Sequence, residues 1–272
     1  MSWKHRFIWL MGCLAWAGIT RGQSDSLFRP VLTLRADIAS FAVDNLDNLY
    51  ILGKRDQLKK FNNQGDSVSV FNNVKKYGKV SSIDVSNPLR VLLYYEDFAT
   101  IVMLDRLLNV RNTIDLRKQN ILRVKAIGQS YDNNIWLYDI LDNKLKKIAE
   151  DGRVLLETPD FRMLFAEAPS PQRIFDQDGL VYLYDSTRGL YVFDYYGALK
   201  SRIPITGWKD LKVVSKFVFG VNGDTLHRYA INTFQTENWR LPAPVFPFLE
   251  LDFTNTRLYA LKAEGVDVYS IR

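Results

Sequence analysis

The stretch Ile174–Ala198, IFDQDGLVYLYDSTRGLYVFDYYGA, decides the fold. An apolar approach (Arg173, Ile174, Phe175) meets a polar corner, Asp176–Gly179. Val181–Tyr184 follows, then a second corner from Asp185 to Gly189, then Leu190–Phe193 and a third corner from Asp194 to Gly197. Short runs of β-branched and aromatic residues between Asp/Gly/Ser/Asn corners read as strands joined by tight turns.

The same phrase recurs along the chain. Aligned on their second strands, the units start at Leu49, Val91, Ile135, Val181, Phe217 and Leu258, about 36 to 46 residues apart. That is the period of a four-stranded propeller blade. First strands precede (Ser40–Val43, Val80–Val85, Lys125–Gly128, Arg173–Phe175, Leu211–Val214, Leu249–Phe253) and third strands follow, with pairs such as Lys59-Lys60 and Lys146-Lys147 fitting strands nearer the rim. The sixth unit lacks a fourth strand, and Val31–Leu34 is spare ahead of the first. Pairing the two predicts an all-β, six-bladed propeller of four-stranded antiparallel blades, closed by its own N-terminal strand. A seven-bladed ring needs a further unit, and the longest unaligned stretch, Thr158–Gln172, is too short for one.

Residues 1–22 read as a signal peptide. Lys4, His5 and Arg6 form a basic start, Phe7–Ile19 (FIWLMGCLAWAGI) an apolar core, and Thr20-Arg21-Gly22 a cleavage site before Gln23. The alternative is a lipobox ending at Cys13. Residues 23–272 are then a single propeller domain, exported and periplasmic, not membrane-spanning after cleavage, and without cysteine for disulfides. Its formal charge falls from +6 to about +3, so the basic pI does not argue for nucleic acid.

The second-to-third-strand loops and the blade-to-blade connections share one face. Two connections there are long and apolar: Pro159–Pro171 (PDFRMLFAEAPSP), with Phe161, Met163, Leu164 and Phe165, and Leu241–Phe248 (LPAPVFPF). They mark either a partner surface or side chains tucked onto the blades beneath. Asp176-x-Asp178-Gly179 opens like a calcium loop, but Leu180 stands where an oxygen ligand is needed and Thr187 where a glutamate should close the loop, so it reads as a turn. His227 is the one histidine of the mature chain, and no nucleophile, phosphate or dinucleotide motif accompanies it. No cofactor is implied. One enzyme class survives, a lactonase-like calcium-dependent hydrolase with Glu96, Asp139, Asp185 and Asn222 converging on the central channel. A carbohydrate-binding propeller, stacking sugars on Tyr94, Tyr95, Trp136 or Trp208, is the other alternative.

The Asp-x-x-Gly corners, with Tyr-x-x-Asp after them, resemble the NHL repeat family of six-bladed propellers, most closely at Asp44–Asp47, Tyr131–Asn134 and Asp176–Gly179. The second unit, Asn87-Pro88-Leu89-Arg90-Val91-Leu92-Leu93-Tyr94-Tyr95-Glu96-Asp97-Phe98 followed by Ile101–Asp105, resembles exported propellers of Gram-negative bacteria with type 9 secretion. This resemblance implies kinship with the periplasmic plug subunit of the type 9 translocon. It implies a non-enzymatic protein-interaction role, docking to or plugging an outer-membrane β-barrel, with Tyr95, Glu96, Asp97 and Phe98 on the contacting face.

Overall fold

The structure, a computed structural model, describes residues 27–54 and 57–271. The signal-peptide and Cys13 readings lie outside these residues.

Twenty-four strands form six four-stranded sheets among the described residues. The first, β1 (Phe28–Arg35), is held for the end. Blade 1 is β2 (Ile38–Val43), β3 (Leu49–Gly53), β4 (Leu58–Phe61) and β5 (Ser67–Phe71); blade 2 is β6 (Ser82–Asn87), β7 (Arg90–Tyr95), β8 (Thr100–Asp105) and β9 (Val110–Asp115). Blade 3 is β10 (Val124–Gln129), β11 (Ile135–Asp139), β12 (Lys144–Ile148) and β13 (Val154–Glu157); blade 4 is β14 (Arg173–Gln177), β15 (Leu180–Asp185), β16 (Gly189–Asp194) and β17 (Leu199–Ile203). Blade 5 is β18 (Lys209–Val214), β19 (Phe217–Asn222), β20 (Thr225–Ala230) and β21 (Gln235–Arg240); blade 6 is β22 (Glu250–Phe253), β23 (Arg257–Lys262) and β24 (Gly265–Ile271).

The spare N-terminal strand does close the ring. β1 pairs antiparallel with β24, from Phe28 opposite Ile271 to Arg35 opposite Gly265, and supplies the missing outer strand of blade 6. Gly265 makes the seam possible: at φ +155° a Cβ there would stand 2.0 Å from the Leu34 carbonyl oxygen. The seam covers an edge that would otherwise offer a row of unpaired backbone groups.

The second strands, and the third strands β8, β12, β16 and β24, are buried on both faces over most of their length, because each blade is packed between two others. Hence β7 and β15 read as unbroken apolar runs rather than alternations. The core lies between blades: one cluster joins blades 1 and 2 through Tyr50, Leu93 and Tyr95, and another joins blades 3 and 4 through Trp136, Phe161 and Phe193. Lys60, Lys146 and Lys147 correct the rim expectation, for all three are buried on third strands. Each ammonium has a partner. Lys60 donates to the Arg106 carbonyl at 3.2 Å, Lys146 to Asp139 at 2.8 Å, and Lys147 to Asp132 at 2.5 Å beneath the rings of Tyr131, Trp136 and Tyr195.

The innermost strands line a central channel and are tied to one another by carboxylates. Asp84 accepts from the Gln129 amide at 2.7 Å, Asp210 from the Leu251 amide at 3.0 Å, and Asp252 from the Val43 amide at 2.8 Å. In each case an inner-strand aspartate holds the backbone of the next blade. Asp176 reaches back instead, to Ser130 Oγ and Trp136 Nε1 of blade 3. Gly128 lets β10 and β14 approach closely, since a Cβ there would meet the Ile174 carbonyl oxygen at 2.8 Å.

Candidate functional site

The face that carries the blade-to-blade connections divides into an apolar arc and a charged channel mouth. The arc begins at the turn Glu96–Phe98 after β7. Glu96 and Asp97 are exposed, and Phe98 is 46% exposed. Tyr95 departs from the expected surface position. It is the last residue of β7, wholly buried, with its ring edge-on to Tyr77 at 5.6 Å and its hydroxyl without a hydrogen-bond partner.

The connection Pro159–Pro171 splits in the same way. Asp160 caps a single helical turn, Phe161–Leu164, by accepting from the Arg162 amide. On such a turn residues four apart share a side. Phe161 is accordingly buried, stacked on Phe193 at 5.3 Å and edge-on to Phe165 at 5.4 Å. Phe165 packs partly buried on Tyr191. Met163 (83% exposed) and Leu164 (49%) point outward.

Between these stand two residues that sequence reasoning did not single out, Leu122 on the connection into blade 3 and Leu141 on the β11–β12 turn. Both are about half exposed. The four segments are contiguous. Arg123 faces Glu96 at 3.8 Å, the Ile140 amide donates to the Arg123 carbonyl, and the Phe161 amide donates to the Asn143 carbonyl. Phe98, Leu122, Leu141, Met163 and Leu164 thus stand on neighbouring segments, an arc of exposed apolar residues along blades 2 to 4.

The four residues of the calcium alternative do not converge. Glu96, Asp139, Asp185 and Asn222 stand at the ends of second strands on blades 2, 3, 4 and 5, and none lines the channel. Asp139 is buried and committed to the Leu141 and Asp142 amides and to Lys146. Asp185 is buried and accepts from the Ser170, Thr187 and Arg188 amides and from Thr187 Oγ1. Burial works to raise its pKa, but these donors together hold it below the usual carboxylate range. Among the described residues no group of three or more His, Cys, Asp or Glu is arranged to hold a metal ion. The aromatics of the sugar alternative are equally committed. Tyr94, Tyr95 and Trp136 are buried, and Trp208 stacks on His227 at 4.8 Å.

The channel itself encloses about 460 Å³ and is lined by all six inner strands. Each inner strand starts at the connection-bearing face, so residues early in these strands ring the mouth. There Arg173 of blade 4 reaches past blade 5 toward Glu250 of blade 6, with 3.7 Å between guanidinium nitrogen and carboxylate oxygen. Asp210 lies between them on a bulge with φ +52°. Burial pushes Asp210 upward, and it pushes Glu250 up to about 7 against the pull of Arg173, with Asp210 and Asp252 adding to the rise. Deeper in the channel Lys212 bonds Asp252 at 2.7 Å and the Val43 carbonyl at 2.8 Å.

No family model matches the chain, and no curated protein matches it in sequence. Many solved structures match it in fold. A streptogramin B lyase superposes with a TM-score of 0.59 at 12% identity, covering 89% of this chain and 87% of that one. The β-propeller domain of Cps50 (Swd1) from Myceliophthora thermophila gives 0.60 at 8% identity, over 90% and 100%. The Pan2 WD40 domain of Neurospora crassa gives 0.58 at 11%, over 86% and 78%. PorZ, a surface component of the type IX secretion system of Porphyromonas gingivalis, superposes only loosely, at 0.47 and 13% identity over 90% of this chain and 38% of that one. The likenesses to the lyase and to the Cps50 and Pan2 domains agree with the all-β six-bladed propeller that the sheets define, and say nothing of its chemistry, because one fold hosts many functions.

Proposed function

We propose that this chain is an exported, periplasmic propeller whose task is to dock a protein partner, an outer-membrane secretion barrel being the partner the second unit's family resemblance implies. One observation carries the reading: the exposed apolar residues Phe98, Leu122, Leu141, Met163 and Leu164 stand on neighbouring segments of one face. Scattered exposed apolar residues need no explanation, but several gathered on one face and rimmed by charge are a form that protein contacts take. Arg123, Glu96, Arg162 and Asp160 supply that rim. Two of the four residues of the hydrolase alternative, Asp139 and Asp185, are committed to turn amides, and no helix among the described residues is long and apolar enough to cross a membrane.

The test is affinity purification of a C-terminally tagged copy from detergent-solubilised envelope, read by mass spectrometry. A stoichiometric outer-membrane barrel, lost when Phe98 and Met163 are both changed to Ser, is the expected result. Recovery of the propeller alone would remove the docking role.

A further inference from the structure

The channel mouth carries one polar side chain per blade, and their order around the ring is not random. From blade 1 to blade 6 the lining residues are Ser40, Ser82, Lys125, Arg173, Asp210 and Glu250. Two hydroxyls are followed by two cations and then two carboxylates. Blades 1, 3 and 5 each bulge at this level, at Ile38/Ser40, Val124/Ala126 and Lys209/Lys212. A bulge re-aims the side chains beside it. Other inner-strand carboxylates, Asp84, Asp176 and Asp252, are tied into the blades by two or more hydrogen bonds each. Glu250, by contrast, has among the described residues only Arg173, at 3.7 Å, which is longer than a hydrogen bond. Ser82 Oγ, on the wall opposite Asp210, has no hydrogen-bond partner among the described residues.

We propose that this mouth binds a small zwitterion of the α-amino-acid type. The ligand carboxylate lies against Arg173 and Lys125, and its ammonium against Glu250 and Asp210. The chemistry follows from the arrangement. Charges of opposite sign stand on adjacent thirds of one ring, so a monovalent ion satisfies one third and leaves the other as it was. A zwitterion replaces the loose Arg173–Glu250 contact with a short charge-assisted bond to each side, and such bonds are the strong ones. Both partners are reachable, for the Arg173 side chain is 48% exposed and that of Glu250 28%. The cavity of about 460 Å³ is in the range of small-molecule sites. The inference does not depend on the apolar arc, which lies on other residues.

The test uses the purified chain and the twenty free L-amino acids, each at about 5 mM, in thermal unfolding, with acetate, methylammonium and glucose at the same concentration as controls. The expected result is a rise in Tm with at least one amino acid and none with the controls. Calorimetry should then give a Kd below about 1 mM, weakened at least ~10-fold by Glu250→Gln and by Arg173→Gln. If Arg173→Gln fails to fold, Lys125→Gln, on an exposed side chain, probes the same cationic wall. No shift with any amino acid, an equal shift with acetate or methylammonium, or binding unchanged in the variants would each overturn the proposal.

Discussion

Asp185 and Glu250 are carboxylates near the same face of the same ring, yet they are in opposite states. Asp185 ends a second strand, and three backbone amides and a hydroxyl converge on it, so it stays ionised below the usual range. Glu250 starts an inner strand whose Leu251 and Phe253 amides donate to Asp210 and Asp252 instead. It is half-buried beside Asp210 and Asp252 with one distant guanidinium, and desolvation pushes its pKa up to about 7. Burial acts on both in the same direction. The number of donors decides the outcome, and the carboxylate without them is the one left for a ligand.

The sharpest way to break this comparison is Asp185→Ala, which strands several buried donors and should destabilise by about 3 kcal/mol or more. Its contribution is present above the unfolded aspartate pKa and is lost as pH falls through the depressed folded value, so acid unfolding of the wild type should be steeper than that of the variant. Denaturant titrations at pH 7 and pH 3 read both effects.

Tyr95→Ala should cost about 3–5 kcal/mol, because it empties a fully buried site between blades 1 and 2. Tyr95→Phe removes only a buried hydroxyl that has no partner, and should be neutral or stabilising by up to about 1 kcal/mol. A loss in the phenylalanine variant would show that the hydroxyl is bonded in solution.

Glu250→Gln should move stability the other way. The folded pKa of about 7 exceeds the ordinary 4.5, so the wild type loses stability as pH rises from below 5 to above 7. Removing the charge should raise stability at pH 8 by about 1–3 kcal/mol, with the gain gone near pH 5. The groups facing Glu250 are Arg173 from β14, Asp210 from β18 and Asp252 on its own strand. A variant less stable than wild type at pH 8 would make the Arg173 pair stronger than its length suggests. The smallest effect belongs to the arc: Met163→Ser and Phe98→Ser should shift stability by no more than about 0.5 kcal/mol while weakening partner recovery.

Much of the fold was legible because a blade is local. Turn chemistry at Asp176–Gly179 and the apolar runs flanking it lie within one hairpin, and the repeat of about 36 to 46 residues multiplies that signal. The closing strand was legible by subtraction, from one strand spare at the start and one missing at the end. The helical turn was not, for the connection read only as long and apolar, and the i, i+4 placement of Phe161 and Phe165 toward the blades needs the turn itself. Tyr95 misled because it adjoins exposed Glu96, and a strand end looks the same in sequence whichever side it faces. The buried lysines misled because charge suggests a rim until the partners Asp132, Asp139 and the Arg106 carbonyl are in place.

The sequence by itself therefore determined the strands and their grouping into blades, which rest on contacts within a few tens of residues, and it pointed to the closure by the count of strands alone, although that seam joins Phe28 to Ile271 from opposite ends of the described chain. Only the tertiary structure decided which polar groups meet. Ser40 and Glu250 are 210 positions apart and come to one mouth because six blades curve round a shared axis. The state of each carboxylate there depends on donors from other blades, and no local pattern encodes that count.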